Sequence, residues 1–579
     1  MKYALTILLA ASSASMCCCS ESGKPSAAPG NAATATTAAT AIGADQPMPV
    51  PVTLADWARG AMLYDGLGDH HRAITTTSPE AQQYFDQGLR FMWAFNHDEA
   101  TRSFAKAAEF DPKCAACFWG VSLTVGPNYN LPFMIGERAR IAWESLQKAE
   151  ENAPRASPVE RALITALAKR YPTALPLDAS KMGPVLIAYA EAMRAVAVQF
   201  AQDLDVQTLY AEAMMNVNAW KLWTPDGKPA PGTDRIVATL ESVLTRDPRH
   251  LGANHYYIHA IEASPHPERA AASAERLKSL APAAGHLVHM PAHIMQRMGR
   301  YEDAAEANRR GAAADDSYLG RTQPPDYYPV MYTAHNYQFL AYSTAMEGRR
   351  AETLAAVENS RRVVSDNMLL AMPGVDWYVA ESYAALVRFG LWERMLALPQ
   401  PNPKLTALTG GYLYARAVAL AATNRLDEAR AALGDLQKLA AAAPDDALAG
   451  QNALKDVLHI ATLIVRARIA DKERHPEETL SLLRQAVAAE DQLAYDEPKD
   501  WFFPARHLLG AQLLQSGMAN EAESVYRADL RQNAENGWAL HGLSTALKAQ
   551  GKGAQSAQVA HQLAEAWKHA DIELTASAF

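Results

Sequence analysis

Two short segments of this chain, NHYYIHAIEAS (residues 254–264) and GHLVHMPAHIM (residues 285–295), carry histidines with the same spacing. His255 and His259 of the first segment are each followed, 34 residues later, by a histidine of the second. A period of 34 residues is typical of arrays of helix–turn–helix repeats. His255 and His259 are four residues apart, and so are their counterparts His289 and His293. Both imidazoles of each pair therefore leave one face of a helix. The sequence therefore predicts that two stacked helices bring four histidines together.

The rest of the chain carries the same helical pattern. Segments rich in Ala and Leu alternate with short turns that contain Pro, Gly or Asp, and strand-like alternation is almost absent. Ala304 and Asn308 lie 34 residues after Ala270 and Ala274, at the equivalent positions of the next repeat. The first copy of the repeat is marked by Tyr84, Gly88, Phe91, Ala100, Phe104, Ala107 and Pro112. The body of the chain is therefore predicted to be all-α.

These positions resemble the consensus of the tetratricopeptide repeat family over most of the chain. The resemblance implies a right-handed α-solenoid of roughly ten repeats, in which each repeat buries its apolar face on the next. The chain is also similar to a subgroup of exported bacterial tetratricopeptide proteins. That similarity rests on the two histidine-rich segments and on blocks such as FNHDEA (residues 95–100) and EPKDWFFPARHLLG (residues 497–510). It bears on the fold more than on the function.

The family resemblance also implies which residues face a ligand. In tetratricopeptide arrays the first helix of each repeat lines a concave groove, and its second, fifth, ninth and twelfth residues point into that groove. Repeats that begin at Leu251, Gly285 and Ala334 then place six histidines and one glutamate in a groove formed by residues 251–342. These residues are His255, His259, Glu262, His286, His289, His293 and His335.

The density of histidine in this region favours a metal site. Seven of the 17 histidines lie between residues 250 and 293, and neutral imidazole is the commonest metal ligand in proteins. Nitrogen-rich ligation in an exported protein favours copper or zinc. We therefore predict that the six groove histidines bind one or two such ions. Glu262 is a candidate catalytic base, a further ligand or a residue that orients the ligands.

The function of such a metal site is left open by the sequence. Copper-dependent oxidation and zinc-dependent hydrolysis of a small-molecule substrate are both compatible with it, and so is storage or delivery of the metal. The alternative hypothesis is a non-catalytic scaffold whose groove binds a peptide or an envelope protein. Three insertions, residues 126–137, 220–233 and 315–329, are expected to be lids or binding elements, or else tolerated surface loops.

Other residues are expected to have supporting roles. Pro291 should kink its helix and change the direction of the histidine that follows it. His70 and His71 are expected in an exposed loop, and His97 in a turn that Asn96 caps. His507 is expected to pack at a junction between repeats.

The start of the chain resembles a bacterial lipoprotein leader. Lys2 and the apolar stretch at residues 3–11 are followed by small residues and by Cys17, Cys18 and Cys19. We expect a leader over residues 1–19, a low-complexity tether over residues 20–55, an N-terminal segment over residues 56–78 and the solenoid over residues 79–579. The protein should then be exported to the periplasm or cell envelope, with membrane contact only through a lipid on one of the three cysteines.

Composition limits the partners further. The chain has 579 residues, and 49% of them are hydrophobic. A chain of this length is too long for one compact domain unless it forms a repeat array. Its net charge is −9, and it lacks the basic stripe that nucleic-acid binders carry, so no nucleic-acid partner is expected. Cys114 and Cys117 are the only cysteines after the leader, and a close pair of this kind suits an oxidising compartment.

Overall fold

The computed structural model describes residues 51–322 and 328–579. The predicted leader, and the tether up to residue 50, lie outside these ranges and remain predictions. Within the described ranges the chain is almost entirely helical, and its strands are confined to a short antiparallel hairpin of β1 (Leu448–Ala449) and β2 (Asn452–Ala453). No helix in the same ranges combines the length and the apolar character needed to cross a bilayer.

The helices follow one another with short turns. Those before the histidine-rich region are α1 (Leu54–Ala58), α2 (Pro79–Trp93), α3 (His97–Phe110), α4 (Ala115–Val125), α5 (Gly136–Asn152), α6 (Pro158–Leu167), α7 (Ala179–Gln199), α8 (Leu204–Met215) and α9 (Thr233–Arg246). The histidine-rich region contains α10 (Leu251–Ile261), α11 (Ala271–Leu280), α12 (Gly285–His289), α13 (Pro291–Arg297), α14 (Tyr301–Leu319), α15 (Ala334–Met346) and α16 (Arg350–Arg362). After it come α17 (Asp366–Ala371), α18 (Asp376–Val379), α19 (Glu381–Arg388), α20 (Trp392–Leu396), α21 (Thr406–Ala422), α22 (Leu426–Ala442), α23 (Leu454–Lys472), α24 (Pro476–Glu490), α25 (Ala505–Gln515), α26 (Ala519–Gln532), α27 (Gly537–Ala549) and α28 (Gly553–Ala566).

Consecutive helices pack as pairs, and each pair packs on the next. Helix α2 contacts α3, α3 contacts α4, and α4 contacts α5, and the same succession runs from α25 to α28 at the other end. This arrangement is that of a tetratricopeptide-type α-solenoid, in which every repeat shields the apolar face of its neighbour. The predicted fold class is confirmed.

The residues that mark the first repeat fill the space between its helices. Ala100 and Phe104 are completely buried, and a Cβ atom on Gly88 would lie only 2.7 Å from the Phe104 ring. Glycine therefore lets α2 approach α3 at this point. The turn before α3 is capped as expected, because the Asn96 side chain accepts a hydrogen bond from the backbone N–H of Glu99 at 3.2 Å.

The repeat register is also confirmed. Helices α10, α12 and α15 begin at the predicted positions Leu251, Gly285 and Ala334. The first helix of the middle repeat is interrupted between α12 and α13, because Pro291 has no N–H to continue the helical hydrogen bonds. The insertion predicted over residues 315–329 is wrong at its start, since α14 continues to Leu319. Residues 312–319 contain neither glycine nor proline, so the helix continues until Gly320.

Two large apolar cores divide the molecule, one built from residues between Trp57 and Phe339 and the other from residues between Val330 and Val559. The two halves also touch through polar groups. Tyr495, in the loop between α24 and α25, donates a hydrogen bond from its hydroxyl to Glu262 in the first half at 3.3 Å. The late repeats therefore lie directly against the histidine-rich helices.

Candidate metal centre

The six predicted histidines lie together in two groups of three. The first triad is His255, His259 and His286, and the second triad is His289, His293 and His335. In each triad, one ring nitrogen per residue lies within 4.8 Å of the other two. Each triad takes two residues from the first helix of one repeat and its third residue from the second position of the next repeat. The second triad is thus a copy of the first, moved along the array by one repeat.

Both triads are buried. Five of the six rings are at most 2% exposed, and His335 is partly exposed. The predicted groove histidines are therefore enclosed rather than exposed to solvent. The inner surface of these repeats is covered by two of the insertions and by the returning second half of the chain.

The first two insertions supply part of this cover, as expected of lids or binding elements. Tyr129 from the first insertion and Trp220 from the second lie with ring centroids 5.2 Å apart. Their rings are 5.5 Å and 5.9 Å from the ring of His259. Both insertions therefore form walls of the histidine cluster.

Hydrogen bonds fix the tautomers in the first triad. The Nδ1–H group of His255 donates to the backbone carbonyl of Trp93 at 2.6 Å, and a carbonyl can only accept. The Nδ1–H group of His259 donates to the Glu262 carboxylate at 2.7 Å. In its neutral form, each of these rings presents a lone pair at Nε2.

The second triad has the same arrangement. The Nδ1–H group of His289 donates to Asn308 Oδ1 at 2.6 Å, and the orientation of that amide is set because its Nδ2 donates to the Ala304 carbonyl at 2.7 Å. The Nδ1–H group of His293 donates to Glu262 at 2.6 Å and also lies against Glu497. Glu262 thus holds one imidazole of each triad.

The Nε2 atoms consequently meet inside each triad. Nε2 of His255 and Nε2 of His286 are 3.1 Å apart, and Nε2 of His289 and Nε2 of His293 are 2.6 Å apart. Nε2 of His259 is buried and has no hydrogen-bond partner in the described part of the chain. Two nitrogens bound at 2.0–2.1 Å to one tetrahedral ion would be separated by about 3.3–3.4 Å. The pair in the first triad is close to this separation, and the pair in the second triad would have to move apart to share an ion.

Burial and the neighbouring histidines favour the neutral form of five of the six rings. Burial disfavours the charged imidazole, and in most cases a neighbouring histidine repels a second proton, so that the pKa falls below its ordinary value. The rings with a lowered pKa are His255, His286, His289, His293 and His335. Neutral imidazole is the form that binds a metal.

The pKa values of two carboxyl groups beside the triads, Glu262 and Glu497, are shifted in opposite directions. Burial acts to raise the pKa of Glu262, but His293, a hydrogen bond with Glu497 and His259 together hold it well below its ordinary value. Burial and the charge of Glu262 raise the pKa of Glu497 well above its ordinary value. Of the two carboxyl groups, Glu262 therefore loses its proton more readily.

Each triad also packs against one phenylalanine. Phe95 lies 4.4–5.5 Å from the three rings of the first triad. Phe339 lies 4.6–4.9 Å from the three rings of the second triad. The histidine spacing does not predict these residues, or Trp93, Asn308 and Glu497. The FNHDEA block that contains Phe95 and the block that begins at Glu497 were the only sequence signals for this part of the site.

The other histidines and the cysteine pair have structural contacts. His70 is mostly buried and bonds Asp205 at 2.9 Å, so its expected place in an exposed loop is wrong. His71 is half exposed and contacts Asp86. His507 is buried between Arg388 and Asp529, as expected for a repeat junction. Cys114 and Cys117 form a disulfide at the start of α4.

No model of a protein family matches this chain, and no curated protein matches it at a significant level. Among solved structures, it is similar to a human IFIT1 dimer with m7Gppp-AAAA, with 11% identity over 78% of this chain and 90% of that chain and a TM-score of 0.34. It is also similar to the APC/C hetero-tetramer Cut9-Hcn1, with 10% identity over 84% of this chain and 90% of that chain and a TM-score of 0.27. Naa15/Naa10 bound to HypK-THB gives 14% identity, 84% and 70% coverage and a TM-score of 0.20. At these scores the similarities carry no argument about function.

Proposed function

We propose that this protein binds two transition-metal ions, copper or zinc, with one ion in each histidine triad. The observation that carries the proposal is the direction of the ring nitrogens. Four imidazoles donate Nδ1–H to fixed acceptors, which leaves their Nε2 atoms free to bind an ion. Acceptors of this kind around metal-binding histidines set the tautomer and the ring orientation.

The opposed Nε2 atoms of His289 and His293 also support the proposal. Both rings already carry their proton on Nδ1, so without a cation two lone pairs would face each other. A proton could lie between them only if one ring were doubly protonated, and burial opposes that state. A metal ion removes the conflict.

The ligand chemistry is consistent with copper or zinc. All six ligands are nitrogens, and such sites suit these ions better than the hard cations that prefer oxygen. Both oxygens of Glu262 accept imidazole N–H groups, so we expect it to position the ligands rather than act as a free base. A bound zinc ion would polarise a water or a carbonyl group, and copper would supply redox chemistry.

Elemental analysis of the purified protein tests the proposal. We expect two ions per wild-type chain and one ion per chain in His286→Ala and in His335→Ala, because each change removes a ligand from one triad. His507→Ala is the matched control, since His507 is also fully buried and hydrogen-bonded but lies outside the triads. It should keep both ions, and circular dichroism should report the same helix content for all four proteins.

Wild-type protein that carries no metal and takes up neither zinc nor copper would contradict the proposal. The non-catalytic scaffold would then be the better hypothesis, with a peptide or an envelope protein as its partner. Capture of such a partner by metal-free protein, unchanged in His286→Ala and His335→Ala, would support it.

We also infer that the protein is exported and tethered to the cell envelope by a lipid. The leader-like residues 1–19 support this inference, and so does the disulfide between Cys114 and Cys117, since such bonds persist in oxidising compartments. Fractionation of cells that produce the full chain, with and without Ser in place of Cys17, Cys18 and Cys19, tests it. The wild type should sediment with membranes and the variant should not.

A further inference from the structure

A cavity of about 80 Å³ adjoins both triads. His259 and His286 of the first triad and His335 of the second triad lie in its wall. One water molecule needs about 10–15 Å³ of such space, so the cavity has room for several waters or one small molecule. A molecule inside it would therefore reach the two proposed ions from one side.

Part of the cavity wall is apolar. It is formed by Val364, Leu369, Val375 and Val379, from the segment that follows α16, together with Val330. The carboxyl groups of Asp496 and Glu497 line another part. The aromatic rings of Trp220, Tyr332 and Tyr378 also line the cavity. No lysine or arginine is among its described lining residues. The cavity thus lacks the basic groups that recognise phosphates and other polyanions.

Two buried amides beside the histidines have unmet hydrogen bonds. The Nε2 group of Gln338, a residue that is 3% exposed, has no acceptor among the described residues. Oδ1 of Asn130, in the first insertion, has no donor within residues 51–322 and 328–579. Buried polar groups are normally paired, so such groups in a cavity wall indicate a missing partner. Both residues line the cavity together with three histidines of the triads.

We propose that this cavity binds a small, uncharged organic molecule with an apolar body and one oxygen-bearing end. The body packs against the valines and Leu369. The oxygen accepts a hydrogen bond from Gln338 and faces the metal ions, so the proposal rests on the proposed metal centre. Molecules that carry a phosphate, and extended peptides, do not fit this wall.

Ligand-observed ¹⁹F NMR with 4-fluorobenzyl alcohol as the probe tests the proposal on the zinc-loaded full chain. Val375→Trp narrows the cavity from the apolar part of its wall. Leu370→Trp is the matched control, because Leu370 is adjacent to a cavity residue but is 38% exposed. Gln338→Leu keeps the size of the side chain and removes the unmet donor. The metal content of every sample is measured in parallel.

We expect wild type and Leu370→Trp to bind the probe equally. Val375→Trp should bind it at least tenfold more weakly, and Gln338→Leu several-fold more weakly, with two zinc ions retained in each. Replacement of zinc by paramagnetic Co²⁺ should broaden the resonance of the bound probe, because the ring lies near the ions.

Failure of metal-loaded wild type to bind the probe would overturn the cavity proposal and leave the metal centre intact. Equal binding by Val375→Trp, or preferential binding of 4-fluorophenyl phosphate, would also overturn it. Wild-type protein without metal would overturn both proposals, and the parallel metal measurement distinguishes this case.

Discussion

Replacement of Glu262 should affect both proposed ion sites, because its two oxygens hold one imidazole from each triad. Oε1 accepts from His259 Nδ1–H at 2.7 Å, and Oε2 accepts from His293 Nδ1–H at 2.6 Å. Loss of such an outer contact typically weakens metal binding by about 10–100-fold, or about 1.4–2.7 kcal/mol. Glu262→Ala should therefore weaken both sites by about this amount.

The variant Glu262→Gln should affect the two sites differently. In Glu262→Gln one oxygen remains, but the other position becomes an NH₂ group that cannot accept. The imidazole facing it must rotate or move its proton to Nε2, which removes the lone pair from the ion. We therefore expect one site to weaken by about 10–100-fold while the other is nearly unchanged.

Competition titrations with a zinc chelator would measure the two affinities in each variant. Asn308→Ala is the comparison, because Asn308 holds only His289, so the second triad alone should weaken. Two unchanged affinities in Glu262→Ala, in a protein of normal helix content, would refute the argument that this carboxylate positions the ligands.

The remaining predictions concern stability. Free zinc at 100 times the dissociation constant should stabilise the fold by about 2.7 kcal/mol per site, so chelation should lower the melting temperature, and an unchanged melting curve would count against folded-state metal binding. Metal-free protein should lose stability as the pH falls below about 6.5, because the lowered pKa values of the triad histidines mean that the unfolded chain takes up more protons. Denaturant unfolding at pH 7.5 and pH 5.5 checks that sign. Gly252→Ala should lower the free energy of unfolding by about 1–3 kcal/mol, because the new Cβ atom would lie 2.4 Å from the ring of Trp93. It should also weaken metal binding at the first triad, because the Trp93 carbonyl accepts the hydrogen bond from His255. Gly434→Ala, which meets no neighbouring atom within 4 Å, should not destabilise the fold.

The sequence predicted the fold and the histidine cluster because both follow from the repeat period. A 34-residue offset fixes which positions of α10 and α12 are equivalent, and the starts of these helices agree with it (285 − 251 = 34). The next helix, α15, starts 49 residues after α12 (334 − 285 = 49), because an insertion precedes it. Local spacing and one repeat length therefore sufficed for five of the six histidines, and His335 needed the groove positions that the family resemblance implies.

The surroundings of the triads could not be predicted in the same way. Phe95 lies 160 residues before His255, and Glu497 lies 204 residues after His293. Such contacts depend on how the two halves of the array close on each other, which no local period specifies. The same closure explains why the groove histidines form a buried cluster beside a cavity.

Because the second triad repeats the first, the proposed ion sites are a property of the repeat unit. The ligand positions belong to the repeat, at its fifth and ninth residues and at the second residue of its successor, and not to any specialised loop. Duplication of one such repeat would lengthen the molecule and add a further set of three nitrogens in a single genetic step. A row of ions could therefore grow or shrink as the solenoid gains or loses units.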